Sequence, residues 1–238
     1  MIFILKKRTF YILCAILTFI LIFEIPVYEF IKVAAENDTG NNLKAGLNYF
    51  IFIDCEVNTL YLFLDGKVVK KYEVACGKWD TPSPIGSWKI ISKAKWGEGF
   101  GGSWLGLNVP WGKYGLHGTL KPGSIGWNSS HGCIRMKNDD VAQLYKIIPY
   151  GTNVMIVNGV FGVFGKGFRY LKPGDRGADV FAVQKRLNEL GYNCGRADGV
   201  YGENMKAAIF KYQKDNGLGI SNVISKKMLE KMGFREFE

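Results

Sequence analysis

The sequence has only two histidines, and both lie shortly before the same cysteine: His117, His131 and Cys133. A cysteine is a strong nucleophile only as a thiolate, and a neighbouring histidine is a common base for forming one at neutral pH. Gly118 and Gly132 lack side chains, so their backbone N–H groups could come close to a substrate oxyanion. The cluster therefore indicates nucleophilic catalysis by Cys133, with either histidine as the base.

Three short motifs around this cluster resemble the catalytic signature of the L,D-transpeptidases, the YkuD-like domain of bacterial cell-wall enzymes. They are His117-Gly118-Thr119, Pro122-Gly123-Ser124-Ile125-Gly126 and Ser130-His131-Gly132-Cys133-Ile134-Arg135. The upstream Gly77 and Thr81-Pro82-Ser83-Pro84-Ile85-Gly86 fit the same pattern. The resemblance covers residues 47–158, which we expect to form the catalytic domain.

The resemblance implies a transpeptidation in two steps. Cys133 would attack the carbonyl of the third residue of a donor tetrapeptide stem in peptidoglycan, releasing the terminal D-alanine and leaving a thioester. An amine of a neighbouring stem would then resolve the thioester and form a cross-link. The implied chemistry requires no metal and no cofactor.

The resemblance also assigns roles to individual residues. His117 would be the base, oriented by the backbone carbonyl of Gly118, although chemistry alone leaves His131 open. Ser130 and His131 would shape the pocket, and the N–H groups of Gly132 and Cys133 would donate to the oxyanion. Arg135 would hold either the loop or a substrate carboxylate.

Three other functions fit part of this pattern. Water could resolve the thioester in place of an amine, which would make the protein an L,D-carboxypeptidase. A membrane-tethered wall-binding protein with an inactive catalytic domain is a second alternative, against which the intact His117, Gly132 and Cys133 argue. A papain-like protease is disfavoured, because its cysteine precedes its histidine.

The elements expected to carry this site are mostly short strands. They are predicted at Phe50–Asp54, Leu60–Leu64, Val68–Val74, Trp88–Ile91, Trp104–Val109 and Asn153–Asn158. Asp65-Gly66 predicts a hairpin turn, and Asn138-Asp139-Asp140 could cap one helix. Trp96, Trp104, Trp111 and Trp127 could wall a cleft or fill a core. We therefore predict a mainly-β, β-sandwich-like catalytic domain, with the motifs on loops and strand ends.

A second domain is predicted at residues 172–235, after a glycine-rich linker at 159–171. Apolar residues at helical spacing predict three helices, which end at Gly191, Gly217 and Gly233. Its Gly174-Asp175-Arg176-Gly177 and Asp198-Gly199-Val200-Tyr201-Gly202 motifs resemble the peptidoglycan-binding domain often fused to cell-wall enzymes; the alternative is a module that merely packs against the first domain. That resemblance assigns wall binding to Asp198, Gly199, Tyr201 and Gly202.

The N-terminal residues predict export. Lys6-Lys7-Arg8 precedes an uncharged run from Thr9 to Phe23, which is typical of a signal segment. We predict a signal-anchor at residues 1–30 and a polar stalk at 31–46, with a cleaved signal peptide as the alternative. The protein would then be extracytoplasmic, either anchored to the cell membrane or secreted to the wall.

Composition limits the partners. The 238 residues carry a formal net charge of +10, which favours polyanions such as anionic cell-wall polymers. No nucleic-acid-binding motif is present, so we expect no nucleic-acid partner. The five cysteines show neither a disulfide framework nor zinc-ligand spacing, although Cys55 and Cys76 could pair in an oxidising compartment.

Overall fold

The computed structural model describes residues 48–97, 100–159, 162–165 and 167–235. The described residues from Tyr49 onward belong to one compact unit, with a β-rich domain followed by a helical module. The predicted signal-anchor and polar stalk lie outside the described residues. Among the helices that are described, none has the length and apolar character needed to span a membrane.

The β-rich domain is built on one mixed sheet of eight strands, in the order β3-β2-β1-β8-β4-β5-β6-β7. The strands are β1 Tyr49–Asp54, β2 Thr59–Leu64, β3 Lys67–Glu73, β4 Gly86–Ala94, β5 Trp104–Leu107, β6 Tyr114–His117, β7 Ile134–Arg135 and β8 Asn153–Val157. The mainly-β prediction is confirmed. The strand order is continuous, because the first half of β4 pairs with β8 and its second half pairs with β5.

Strand β1 shows the alternation of burial that is typical of a half-buried strand. Ile51 and Ile53 of β1 are fully buried, with less buried residues between and after them. Asp65 and Gly66 join β2 to β3 with φ values of +50° and +76°. Positive φ at both central residues defines the two-residue hairpin turn expected from Asp-Gly. β3 lies at one end of the strand order, and its residues Lys67–Lys71 are exposed.

The segment from Trp96 to Gly118, in which the sequence predicts one strand at Trp104–Val109, contains two strands, β5 and β6. All four residues of β5 are buried, so its sequence lacks the apolar–polar alternation that identifies a half-buried strand. The core prediction is confirmed for two of the four tryptophans. Trp104 and Trp111 are buried in the core, whereas Trp127 is 70% exposed.

Helix α1, Asn138–Ile147, is the predicted helix of the β-rich domain. The predicted capping by Asn138-Asp139-Asp140 is wrong: the helix is preceded by Lys137, which makes no side-chain cap, and Asn138 is its first residue. The Asn138 side chain accepts a hydrogen bond from outside the helix instead, from the backbone N–H of Thr119.

The helical module has the predicted three helices: α2 Ala178–Glu189, α3 Glu203–Asp215 and α4 Lys226–Lys231. Ser225 caps α4 as predicted, since its side chain accepts a hydrogen bond from the Met228 N–H. The preceding linker is partly built into the module. Phe164 packs 4.8 Å from the ring of Phe234, and Leu171 pairs with Ile224.

Candidate active site

The segment that carries Cys133 is held by backbone hydrogen bonds on both sides. On one side β7 pairs in parallel with β6, so that Arg135 lies opposite His117. On the other side Arg135 exchanges two backbone hydrogen bonds with Ala75, at 2.8 and 2.9 Å. Cys133 therefore directly precedes a short strand, and that strand is held in place by β6 and by Ala75.

The turn before Cys133 is closed by Ser130. The Ser130 hydroxyl donates to the Cys133 carbonyl at 2.5 Å and accepts from the Gly132 N–H at 3.0 Å. The carbonyl of Cys76 accepts hydrogen bonds from the N–H groups of Ser129 and Ser130. Ser130 is fully buried. Its hydroxyl thus fixes the backbone on which the cysteine is mounted.

Gly132 is needed in this turn for two reasons. Its φ of +109° lies in a region that other residues rarely adopt. A Cβ atom at this position would also lie 2.7 Å from Cε1 of Tyr114 and 3.1 Å from the carbonyl oxygen of Pro82. The absence of a side chain at Gly132 therefore lets the Tyr114 ring contact the turn before Cys133 directly.

The register of β6 and β7 places the candidate nucleophile and base on the same face of the sheet. Leu116 and Ile134 are paired and fully buried, and His117 and Arg135 follow them on the opposite face. Side chains alternate between faces along a strand. Continued by one residue, the same register predicts that Cys133 lies opposite Gly115 and on the face of His117.

His117 is oriented by the backbone of the next residue. Its Nδ1 lies 2.6 Å from the carbonyl oxygen of Gly118. A carbonyl can only accept a hydrogen bond, so Nδ1 carries the proton and Nε2 is left as the basic nitrogen. The arrangement that the family resemblance implied is therefore present in the structure.

Aromatic rings enclose the His117 imidazole. The ring of Trp104 stacks at a centroid distance of 5.9 Å, and that of Phe100 meets the imidazole edge-on at 5.1 Å. Trp96 stacks on Trp104 at 4.3 Å, with the Lys113 ammonium 4.4 Å from the Trp96 ring centroid. Only 6% of His117 is exposed, so its environment is largely apolar.

Burial moves both titrating groups toward their neutral forms. Burial lowers the pKa of His117, a hydrogen bond to Gly118 opposes this, and the charge of Arg135 lowers it further. Burial raises the pKa of Cys133, while a backbone hydrogen bond from Gly115 and the charge of Arg135 act in the opposite direction. Burial therefore favours a neutral imidazole at His117 and a thiol at Cys133.

The other predicted catalytic residues occupy different positions around this pair. The guanidinium of Arg135 donates to the Ser129 carbonyl at 3.3 Å, which holds the loop. His131 is exposed on the turn, in contrast to the buried His117. The Gly132 N–H already has Ser130 as its acceptor, so the proposed oxyanion role rests on the Cys133 N–H.

The sequence analysis did not predict that two further residues, Tyr114 and Asn138, would contact the segments that carry Cys133 and His117. Tyr114 contacts Gly132, and Asn138 links helix α1 to the histidine segment through the Thr119 N–H at 2.8 Å. A Cβ on Gly118 would lie 2.4 Å from Oδ1 of Asn138, which shows how closely this amide is packed. Tyr114 lies beyond the strand predicted at Trp104–Val109, so no strand alternation was available to place it.

The residues predicted to bind the wall do not all reach solvent. Tyr201 is only 1% exposed, and its hydroxyl donates to the Asn222 carbonyl at 2.7 Å. Gly199 is buried against the Trp111 ring of the β-rich domain. Asp198 and Gly202 are exposed, and Asp198 accepts a hydrogen bond from Gln184. These residues are grouped in one turn, away from Cys133 in the chain.

Comparison with known proteins identifies the family of the β-rich domain. The YkuD family model, described as an L,D-transpeptidase catalytic domain, matches residues 48–156. A Bacillus subtilis (strain 168) protein named "Putative L,D-transpeptidase YqjB" is 37% identical over 125 residues, covering 46% of this chain and 71% of that protein. This chain belongs to the L,D-transpeptidase family.

This chain is also similar to a second relative and to a solved structure. "Putative L,D-transpeptidase YkuD" of the same strain is 44% identical over 109 residues, and the match spans 45% of this chain and 65% of that relative. The crystal structure of an L,D-transpeptidase (Yku) from Stackebrandtia nassauensis has a TM-score of 0.40 and 26% identity, covering 51% of this chain and 60% of that one. The helical module matches the "Putative peptidoglycan binding domain" model over residues 176–232.

Proposed function

We propose that this L,D-transpeptidase family member cross-links peptidoglycan stem peptides through a thioester on Cys133. The observation that carries the proposal is the orientation of His117, whose Nδ1–H is bound to the Gly118 carbonyl. This leaves Nε2 free to act as a base on the face of the sheet that Cys133 shares. The family match supports the reaction class.

The proposed acylation begins from the neutral pair. Nε2 of His117 takes the thiol proton as Sγ of Cys133 attacks the carbonyl carbon of the third stem residue. The Cys133 N–H would stabilise the oxyanion. The bond to the terminal D-alanine then breaks, and the imidazolium returns its proton to the leaving amine.

The second step transfers the acyl group. The amine of an acceptor stem attacks the thioester carbonyl, His117 takes a proton from the amine, and the new amide bond forms as the carbon–sulfur bond breaks. The proton returns to Sγ and restores the thiol. Hydrolysis by water in place of the amine would make the protein an L,D-carboxypeptidase, and a non-catalytic wall-binding protein would perform neither step.

The helical module supports peptidoglycan as the partner, because its family model is a peptidoglycan-binding one. Peptidoglycan lies outside the cytoplasmic membrane, so the proposed site of action is extracytoplasmic. The net charge of +10 would also favour contact with anionic wall polymers. Anchoring through residues 1–30 remains a prediction from the sequence.

The test is mass analysis of products after incubating the purified protein with a disaccharide-tetrapeptide, beside the Cys133→Ala variant. We expect a cross-linked dimer and released D-alanine with the unmodified protein only. Release of D-alanine with only a tripeptide product would replace the transpeptidase proposal with the carboxypeptidase. Equal products from both proteins would exclude Cys133 from the reaction.

A further inference from the structure

The helical module meets the β-rich domain at Trp111. The Trp111 ring centroid lies 5.5 Å from that of Phe181 on helix α2 and 5.1 Å from that of Trp88 on strand β4. Trp111 and Trp88 are 5% and 6% exposed. Phe181, Ala178 and Val200 pack against the apolar core of the β-rich domain, although all three belong to the module. The contact is therefore an apolar interface centred on one indole.

A turn of the module also rests on the Trp111 ring. A Cβ on Gly199 would lie 2.3 Å from Cε3 of Trp111, so the glycine backbone is in direct contact with the indole. The φ of Gly199 is +69°, which further restricts this position to glycine. The turn to which the sequence assigns wall binding therefore contacts Trp111 of the β-rich domain.

Gln184 fixes this turn from helix α2. Its Oε1 accepts hydrogen bonds from the N–H groups of Asp198 and Gly199, at 3.0 and 2.7 Å. Its Nε2 donates to Asp198 at 2.8 Å and to the Val200 carbonyl at 3.0 Å. Gln184 is 3% exposed. One helix thus supplies both the ring that packs on Trp111 and the amide that holds the turn on it.

From Trp111 the contacts continue to the catalytic turn. Trp111 meets the Tyr114 ring edge-on at a centroid distance of 6.4 Å. Tyr114 in turn covers Gly132, where a Cβ would lie 2.7 Å from Cε1 of the ring. Cys133 is the next residue. Phe181, Trp111, Tyr114 and Gly132 therefore form an unbroken series of contacts from the module to the nucleophile.

The titration behaviour of Tyr114 agrees with this geometry. Burial raises the pKa of the phenol, a side-chain hydrogen bond with Trp111 lowers it, and the charge of Cys133 raises it. Burial is also the main cause of the raised pKa of Cys133. Because the Tyr114 ring contacts Gly132, the residue before Cys133, we expect it to help keep water from the sulfur.

We propose that Trp111 is a positioning residue through which the helical module shapes the site at Cys133. Phe181 and the Gly199 turn fix the indole, the indole fixes Tyr114, and Tyr114 holds the catalytic turn and covers the thiol. The module is then a structural part of the catalytic site, in addition to any wall binding. The consequence for turnover rests on the proposed function, whereas the consequence for thiol reactivity does not.

The test compares Phe181→Ala with Phe164→Ala. Phe164 is a matched control, because it packs against Phe168 and Phe234 and not against Trp111. The rate of Cys133 alkylation by iodoacetamide is measured against pH by mass mapping of peptides. In Phe181→Ala we expect water to reach the thiol, so that the midpoint falls toward the ordinary thiol pKa. Phe164→Ala should keep the original midpoint.

An unchanged midpoint in folded Phe181→Ala would overturn the proposal, and so would an equal shift in Phe164→Ala. Cys55 and Cys76 report on folding, because they are 4% and 0% exposed and should stay unlabelled. If they become labelled, the comparison is made with Phe181→Leu, for which a smaller shift in the same direction is expected and no shift would overturn the proposal.

Turnover provides a separate readout. Phe181→Ala should lower kcat on a disaccharide-tetrapeptide by on the order of tenfold to a hundredfold, because small displacements of reacting groups have effects of that size. KM should change less, since Phe181 lies on helix α2 and outside the turn that carries Cys133. If the unmodified protein shows no turnover, the proposed function fails, and the alkylation comparison still decides this inference.

Discussion

Nδ1 of His117 and the carbonyl oxygen of Gly118 lie 2.6 Å apart, and this contact decides which imidazole nitrogen is basic. The same ring is enclosed by Trp104 and Phe100. Burial of this ring lowers the pKa of His117 and so favours its neutral form.

A pH profile tests the direction of both shifts. Because burial lowers the pKa of His117, kcat/KM should stay high as pH falls below the ordinary imidazole range and decline only at lower pH. Because burial raises the pKa of Cys133, alkylation of the thiol should reach its midpoint above the ordinary thiol range. His117→Gln should lose the acid limb in any residual activity. An acid limb at or above the ordinary imidazole pKa would contradict the assignment.

Gly132→Ala should damage both activity and stability. The substitution adds a Cβ at a φ of +109°, against Tyr114 and the Pro82 carbonyl. We expect a loss of about 1–3 kcal/mol in the free energy of unfolding, measured by urea denaturation. Gly123→Ala is the control, because no atom lies within 4 Å of its added Cβ. Equal stability of the two variants would show that the turn tolerates a side chain.

Ser130→Ala should loosen the turn that carries the nucleophile. The buried hydroxyl both donates to the Cys133 carbonyl and accepts from the Gly132 N–H, so its loss leaves two backbone groups without this partner. The free energy of unfolding should fall by about 1–3 kcal/mol, with a lower rate of Cys133 alkylation. Ser87→Ala, at an exposed position on β4, should change neither quantity. Unchanged alkylation in Ser130→Ala would show that the hydroxyl does not position Cys133.

Asn138→Ala should displace the histidine segment from helix α1. The side chain accepts the Thr119 N–H at 2.8 Å, and we expect its removal to cost about 1 kcal/mol of stability and to reduce kcat. Asn138→Asp retains an acceptor oxygen and should restore most of both losses. If alanine and aspartate behaved alike, the hydrogen bond to Thr119 would have no role in positioning His117.

The sequence was sufficient to predict those elements whose structure is decided by residues close together in the chain. Asp65-Gly66 forms the predicted hairpin, and Ser225 caps the last helix. Of the predicted apolar stripe, Val180, Val183 and Leu187 are buried, whereas Leu190 is 37% exposed at the end of helix α2. In each case the deciding interaction lies within a few residues of the chain.

The rest depends on contacts that local pattern does not contain. Strands β6 and β7 are only four and two residues long, and β7 is defined by its pairing with β6 and by hydrogen bonds to Ala75. The prediction of His117 over His131 as the base followed from the family resemblance. In the structure, His117 differs from His131 by its contact with the Gly118 carbonyl and by the rings of Phe100 and Trp104. The packing of Gly199 on Trp111 joins residues far apart in sequence, so no periodicity could have indicated it.

Strand β3 ends the sheet with three lysines, Lys67, Lys70 and Lys71, among its exposed residues. A terminal strand offers backbone hydrogen-bonding groups to any second strand that approaches it. When that second strand is the same edge of another molecule, the lysines meet like charges at close range and repel it. The edge therefore opposes sheet-to-sheet aggregation of the protein, and this protection should weaken as added salt screens the charges.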